Sequence, residues 1–429
     1  MCQLMRSMPW WSSRARRIIV SMASLPVRYG TSWQGLTRPR TTTMYGYTQI
    51  FHSNLFVVIP RRNILQCRST KQSVAHALLQ WNSREFEMEV ARRKMVATAM
   101  RTFDEWDEHP QGKALTGTPP VVLLKVGDAP KRELKEGNQH PLEGIRVLDL
   151  TRVLAGPICG RTLAAHGADV LWITSPRLPA LPSIDVDTSR GKRTTQLDLT
   201  VEQDRHTLAS LVKDADVFLQ AYRPGGLQDK AFGVQDVVRA RPGIVYASLT
   251  AYGWEGPWKD LRGFDSLVQT TTGFNCAEAE AFATYQGKHI QGRQPPRPLP
   301  MQALDHAAAY FLAFGIHAAL ARTITEGGSW EVRVSLAAVG RWVRSLGQLD
   351  PSVAFGQGCP LPGQGIPPSA EIASILRQYR QSGEELDGHN SHRKMVSAIR
   401  HAAILDRTPV KEDGAPVVLN AHSPEWLPR

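Results

Sequence analysis

The chain has 429 residues, 42% of them hydrophobic, which excludes a wholly disordered protein. Its net charge of +12 points to no nucleic-acid partner: twelve Lys and Arg residues precede Glu85, the first acid, and the other 39 are matched by 39 acids. Five scattered cysteines (Cys2, Cys67, Cys159, Cys276, Cys359) without CxxC or Cys/His spacing give no structural metal and suit a reducing compartment.

Residues 1–75 are basic and acid-free, with lone aromatics and no sustained hydrophobic period, so no folded unit is assigned there. The composition reads first as an unstructured extension and also fits a mitochondrial transit peptide, with 14–22 as a short basic amphipathic helix. A cytoplasmic or mitochondrial location is expected rather than secretion. The longest apolar runs, 55–60 and 311–320, fall short of the roughly 20 residues that span a bilayer, so no membrane segment is expected.

Over 73–115, Val74, Leu78, Leu79, Phe86 and Met88, then Val96, Met100, Phe103 and Trp106, recur at helical spacing and predict two or three short helices. Residues 117–140, rich in Pro, Gly and Lys, read as a linker. Strands follow at 144–150, 168–173, 217–220 and 244–249, with helices at 157–166, 201–213 and 235–240 between them. This alternation predicts an α/β fold with a doubly wound, mostly parallel, Rossmann-like sheet and a smaller helical or α+β appendage. A long helix over 303–323 ends at Gly327-Gly328, before an alternating strand at 330–336 and a helix at 337–349. The expected divisions are a 1–75 extension, a 76–130 segment, a principal domain at 141–350, a loop-rich stretch at 351–391, and a closing helix (392–405) with an extended tail to 429.

Four features invite chemistry. The turn after the first strand of the domain offers backbone amides where open α/β sheets bind nucleotides, although 156–160 is no GxGxxG motif, and taken alone it reads first as a plain βα connection. The run SRGKR (189–193) and Tyr222-Arg223 suit phosphate oxygens and an adenine ring, or a solvated loop and a turn. Asp305, at the start of the long helix, reads as a cap for free amides and as an anion that the helix dipole keeps ionised and nucleophilic. His306 and His317, with no second cluster, read as surface or packing residues.

Taken in order, PLEGIRVLDLTRVLAGP (141–157), GADV (167–170), RGKR and LDL (190–199), ADVFLQAYRPGGL (215–227), PGIVY (242–246), TAYGWEGPW (250–258), RGFDSLVQTTTGF (262–274) and the run from ALDH (303–306) to RVSL (333–336) resemble the family III coenzyme A transferases. That group includes formyl-CoA transferase, carnitine CoA-transferase and α-methylacyl-CoA racemase. The resemblance implies transfer of CoA between an acyl-CoA and a carboxylic acid, with Asp305 attacking the thioester to give a mixed anhydride and then an aspartyl-CoA thioester. It implies no permanently bound cofactor, no metal and an interlocked homodimer.

By the same resemblance Val153, Leu154 and Ala155 lie against the CoA adenine, while Leu197, Tyr222 and Arg223 line its groove. Arg262 and Phe264 lie near CoA, Arg190 and Lys192 offer phosphate contacts, and Arg177 substitutes for a family arginine. The racemase branch carries a proton-transferring histidine where this chain has Phe264, which favours transfer over racemisation. The family's glycine-rich shielding loop has only 356–365 as a counterpart. Residues 76–130 resemble the end of a preceding family domain, which implies a two-domain member with a shortened first half. An acyl-CoA racemase or isomerase and a non-catalytic CoA-ester binder remain the alternatives.

Overall fold

The computed structural model describes residues 47–52, 55–60, 64–65, 71–133, 137–288, 292, 294–356, 367–380, 395–411 and 414–429. The basic helix expected over 14–22, and the glycine-rich candidate loop beyond Gly356, lie outside these residues.

The strands β1 (Tyr47–His52) and β2 (Leu55–Pro60) pair antiparallel. Helices α1 (Lys71–Leu78) and α2 (Ser83–Arg92) follow, and β3 (Val96–Ala99) adds to β2 as a third strand. One expectation is corrected: 96–99 are extended rather than helical. Lys94, at φ 57°, ends α2 and turns the chain back. Pairing with β2 then settles a stretch whose apolar residues suit either conformation. Val74, Leu78, Phe86, Val90 and Ala99 pack as a small core of their own.

The helices α3 (Phe103–Glu108) and α4 (Pro110–Ala114) lead to β4 (Val122–Gly127), inside the stretch read as a linker. The principal domain then runs β5 (Arg146–Leu150), α5 (Ala155–Ala165), β6 (Asp169–Thr174), α6 (Pro182–Thr188), β7 (Arg193–Gln196), α7 (Glu202–Val212), β8 (Val217–Gln220), α8 (Val234–Ala240) and β9 (Val245–Thr250). It continues with α9 (Asp265–Thr271), α10 (Phe274–Tyr285), α11 (Ala303–Thr325), β10 (Ser329–Ser335) and α12 (Leu336–Ser345). The seven-stranded sheet has the order β4-β10-β9-β8-β5-β6-β7 and is parallel except for β4, which pairs antiparallel with β10. The linker expectation fails because β10 would otherwise leave one row of backbone groups unpaired, and β4 satisfies them.

From β5 the chain winds outward to β6 and β7, then crosses back to β8 on the other side of β5. The order therefore reverses between β5 and β8, where an open α/β sheet leaves its ligand crevice at the carboxyl ends of the strands. Helices cover both faces. Val147, Val217 and Leu219 point into the core shared with α5 and α11, while Leu148 and Phe218 point into the one shared with α7 and α8. Burial on both faces makes the central strands mostly apolar, as in Val217–Leu219 of β8.

The helix α11 is long and apolar enough, by length and composition, to cross a membrane, beyond what its 311–320 run indicated. Half of its most apolar stretch is buried against the sheet, and a Cβ on Gly315 would sit 2.5 Å from Val332 Cγ1.

The closing helix expected over 392–405 is not formed: β12 (Met395–Ile399) pairs antiparallel with β11 (Leu376–Arg380). Alternation in Met-Val-Ser-Ala-Ile suits a strand once a partner is at hand. The tail then lies along β7 and α7, with Thr194 Oγ1 donating to Val418 O (2.6 Å) and Trp426 Nε1 donating to Leu211 O (3.0 Å).

Candidate functional site

Two structural features meet at the carboxyl ends of the strands. The first is the turn from β5 into α5. Val153 there has φ 72°, a left-handed conformation that a β-branched residue adopts only under constraint. No side chain caps the start of α5, so the first amides of that helix are left for another acceptor. Tyr222 and Arg223 follow β8 directly across the crevice, with Tyr222 half-buried. Leu197, after β7, is buried in the α7-side core.

The second feature is a pair of carboxylates. Asp305 occupies the first turn of α11 and is half-buried, but it caps nothing. The cap comes from another helix: Asp265 Oδ2 accepts the amides of Leu304 (2.7 Å) and Asp305 (2.9 Å). Gln269 Nε2 donates to Asp265 Oδ1 (2.5 Å) and to Met301 O (3.0 Å), while its Oε1 accepts the Leu299 amide (3.0 Å). Asp265 and Gln269, one turn apart on α9, thus clamp the approach to α11.

Burial pushes the Asp265 carboxyl up to about 7, against the lowering effect of its three hydrogen bonds. Burial, with the Asp265 charge second, raises Asp305 well above the ordinary carboxylate range. The expectation that the helix terminus keeps Asp305 ionised is therefore corrected. Asp265 takes the terminal amides for itself, and two carboxyls this close do not both ionise readily.

The remaining site residues expected from the sequence divide. Arg223 and Arg262 line one cleft of 420 Å³ between the loops after β8 and β9 and the α2–β3 segment. Lys94 and Lys230 bring it to four cations, against Asp229 and Asp260. A third acid of the lining, Glu87, is already held by Arg101 (2.5 Å). Phe264, two residues beyond Arg262, is exposed. Arg177 is mostly exposed and ion-paired with Asp198.

Two of the expected phosphate contacts are corrected. Arg190 is held by Asp187 (2.9 Å) and donates to Tyr379 Oη (3.3 Å) and Ile399 O (3.4 Å), so it secures the β11–β12 hairpin. Lys192 is fully buried, 2.7 Å from Asp149 Oδ2 and 2.8 Å from Pro157 O, and offers nothing to a ligand. A cation one residue from a glycine reads as a phosphate contact in sequence; its partner Asp149 stands 43 residues away.

His317 is half-buried, with Nδ1 donating to Ala313 O (2.8 Å) and its ring 4.8 Å from that of His166, which agrees with a packing role. His306 is half-buried, and burial pushes it down to about 4. Among the described residues no cluster of three or more His, Cys, Asp or Glu is arranged to hold a metal ion. Asp265 and Gln269 were not expected. Their only sequence signal is the i, i+4 spacing of an acid and an amide just after Gly263-Phe264.

Residues 142–353 match the model of CoA-transferase family III. An acetyl-coenzyme A transferase of Hypoxylon pulicicidum is 34% identical over 217 residues, covering 49% of this chain and 35% of that protein. A protein of Mycobacterium tuberculosis named "probable fatty acyl-CoA transferase" is 34% identical over 209 residues, covering 46% of this chain and 50% of its own. The succinyl-CoA:glutarate CoA-transferase of Homo sapiens is 31% identical over 191 residues, covering 42% and 41%. A crystal structure of the M. tuberculosis protein aligns with a TM-score of 0.42 and 33% identity over 49% of this chain and 57% of that one. The chain spans half or less of the length of these curated relatives.

Proposed function

With residues 142–353 forming a CoA-transferase family III domain, we propose that this chain moves CoA from an acyl-CoA thioester to a carboxylic acid and that Asp305 is the nucleophile. The observation that carries the reading is the Asp265–Asp305 pair, in which Asp265 takes the amides at the start of α11 and leaves the Asp305 carboxyl uncapped beside it. A carboxylate suits the chemistry because each of its acyl derivatives stays activated while one leaving group replaces another.

In the proposed sequence, ionised Asp305 attacks the thioester carbonyl and expels CoA thiolate, leaving a mixed anhydride. The thiolate attacks the Asp305 carbonyl, releasing the donor as a free carboxylate and leaving an aspartyl-CoA thioester. The acceptor carboxylate attacks that thioester, expelling thiolate and forming a second anhydride. Thiolate attack on the acceptor carbonyl then gives the new acyl-CoA and regenerates the Asp305 carboxylate. Four acyl transfers balance without an external oxidant or reductant.

Lys94, Arg223, Lys230 and Arg262 suit the phosphates of CoA through charge-assisted hydrogen bonds. The turn at Val153 to Ala155 and Tyr222, on either side of the point where strand order reverses, suit the adenine. Phe264 has no proton-accepting atom, which weighs against α-proton exchange as the main activity.

The test is to incubate the chain with a panel of acyl-CoA esters, quench in acid, and search by intact mass and peptide mapping for a CoA or acyl adduct. An adduct on Asp305 that disappears in Asp305→Asn is expected. CoA binding without any adduct would sink the transferase reading in favour of a binder. Deuterium incorporation at the α-carbon that survives Asp305→Asn would instead support isomerisation.

A further inference from the structure

Lys192 sits beneath the β5–α5 turn, in a network whose members the reaction does not use. Its ammonium donates to Asp149 Oδ2 (2.7 Å) and Pro157 O (2.8 Å), and lies 4.6 Å from the centroid of the Trp172 ring. Both Lys192 and Asp149 have fully buried side chains. Asp149 Oδ1 accepts the Thr151 hydroxyl (2.5 Å), and Trp172 Nε1 donates to Thr151 O (2.9 Å). A Cβ on Gly160 would come within 2.0 Å of Asp149 Oδ2 and 2.9 Å of Lys192 Nζ, so the helix approaches this network as closely as a glycine permits.

Asp149 belongs to β5, and Pro157 to the first turn of α5. The segment between them contains Val153 at φ 72°. Asp149, Thr151 and Trp172 are hydrogen-bonded on its strand side, where Asp149 and Thr151 also pack against Gly160 and Gly156 of α5, and the Lys192 ammonium adds a hydrogen bond to the helix side at Pro157 O. Left-handed geometry at a β-branched residue costs on the order of 1–3 kcal/mol and persists only where the surroundings over-determine it. The ammonium ties together the two ends of the segment that contains Val153.

We propose that Lys192 is a positioning residue for the nucleotide site: by joining Asp149 to Pro157 it holds the Val153 turn in the left-handed form that presents the α5 amides to CoA. This rests on the CoA reading above.

Lys192→Met alone would strand the Asp149 carboxylate in the core, so the working variant is Asp149→Asn with Lys192→Met. Full-length protein is titrated with free coenzyme A by calorimetry, well below the melting temperature of each variant. The dissociation constant of the double variant is expected to rise about tenfold or more. Val153→Gly, introduced into both wild type and double variant, completes a cycle. Glycine holds φ 72° without strain, so it should improve CoA binding in the double variant relative to its effect in wild type. A lowered melting temperature with unchanged affinity would overturn the proposal and leave Lys192 as a stabilising core residue. Identical effects of Val153→Gly in the two backgrounds would overturn it as well.

If the wild-type chain fails to bind coenzyme A, the functional reading fails and hydrogen exchange decides the positioning role. Faster deuterium uptake confined to a peptide over 150–163, and reversed by Val153→Gly, upholds it. Uptake that rises equally over 202–212, or does not rise, overturns it.

Discussion

Asp265 caps the helix that carries Asp305, its Oδ2 accepting the amides of Leu304 (2.7 Å) and Asp305 (2.9 Å) from a position 40 residues earlier in the chain. Two roles that the sequence suggested for one carboxylate are divided between two. Asp265 stabilises the terminus with hydrogen bonds, and Asp305 is left half-buried beside it with a raised proton affinity.

The first prediction concerns the pH dependence of acyl transfer. Deprotonated Asp305 is the attacking form, and both carboxyls are raised, Asp265 to about 7, so adduct formation should climb with pH through the neutral range. Asp265→Asn keeps an oxygen for the two amides but removes a negative charge next to Asp305. Its acid limb should therefore shift to lower pH in a rate profile of adduct formation. A limb that stays in place would show that burial alone controls Asp305.

Stability should carry the mirror image of that effect. A carboxyl whose folded pKa lies above its unfolded value binds more protons when folded, so its contribution is greatest at low pH and is lost as pH rises through the folded pKa. For Asp265 the window runs from the ordinary carboxyl value of 3.8 to about 7. The difference in melting temperature between Asp265→Asn and wild type should therefore grow in favour of the variant from pH 4 to pH 8. Thermal denaturation across that range checks it, and a constant difference would contradict it.

A third prediction addresses the attachment of the α2–β3 segment. Glu87 and Arg101 are both buried and paired at 2.5 Å, and Arg101 also donates to Thr271 Oγ1 (2.8 Å) on α9. Removing one partner leaves an uncompensated charge, so Glu87→Ala should lose about 3–5 kcal/mol in chemical denaturation. Because Glu87 lies in the cleft wall, CoA affinity should fall with it. Losing well under 1 kcal/mol would argue that the segment is held by its apolar contacts alone.

The cleft cations give a fourth. Lys94→Ala and Lys230→Ala should each weaken CoA binding by about threefold to tenfold, with a shallower salt dependence than wild type. Lys213→Ala, at the end of α7 and outside the cleft lining, is the control. Titration at low and moderate ionic strength distinguishes them, and equal behaviour of all three would remove the cleft from the nucleotide site.

Much of this molecule was legible before folding was considered. Strands β5, β6, β8 and β9 lie in the middle of a sheet covered on both faces, so each is a mostly apolar run, interrupted in β5 by Asp149 and in β9 by Ser248, that says strand by itself. The helix α11 announces itself by length and by its glycine stop, and Asp305 by its place in that helix. What was misread lies where conformation depends on a partner distant in sequence. β4 and β12 are extended because β10 and β11 pair with them, and β3 because β2 does. Lys192 reads as a free cation until Asp149 is brought to 2.7 Å. Local patterning, which depends on side-chain period, thus determined the central strands and the helices between them, while the resemblance carried by the ordered motifs marked Asp305 as the candidate nucleophile. Only the tertiary structure decided which charges are spent on the core and which carboxylate caps α11, because those hydrogen bonds join residues that only the fold brings together.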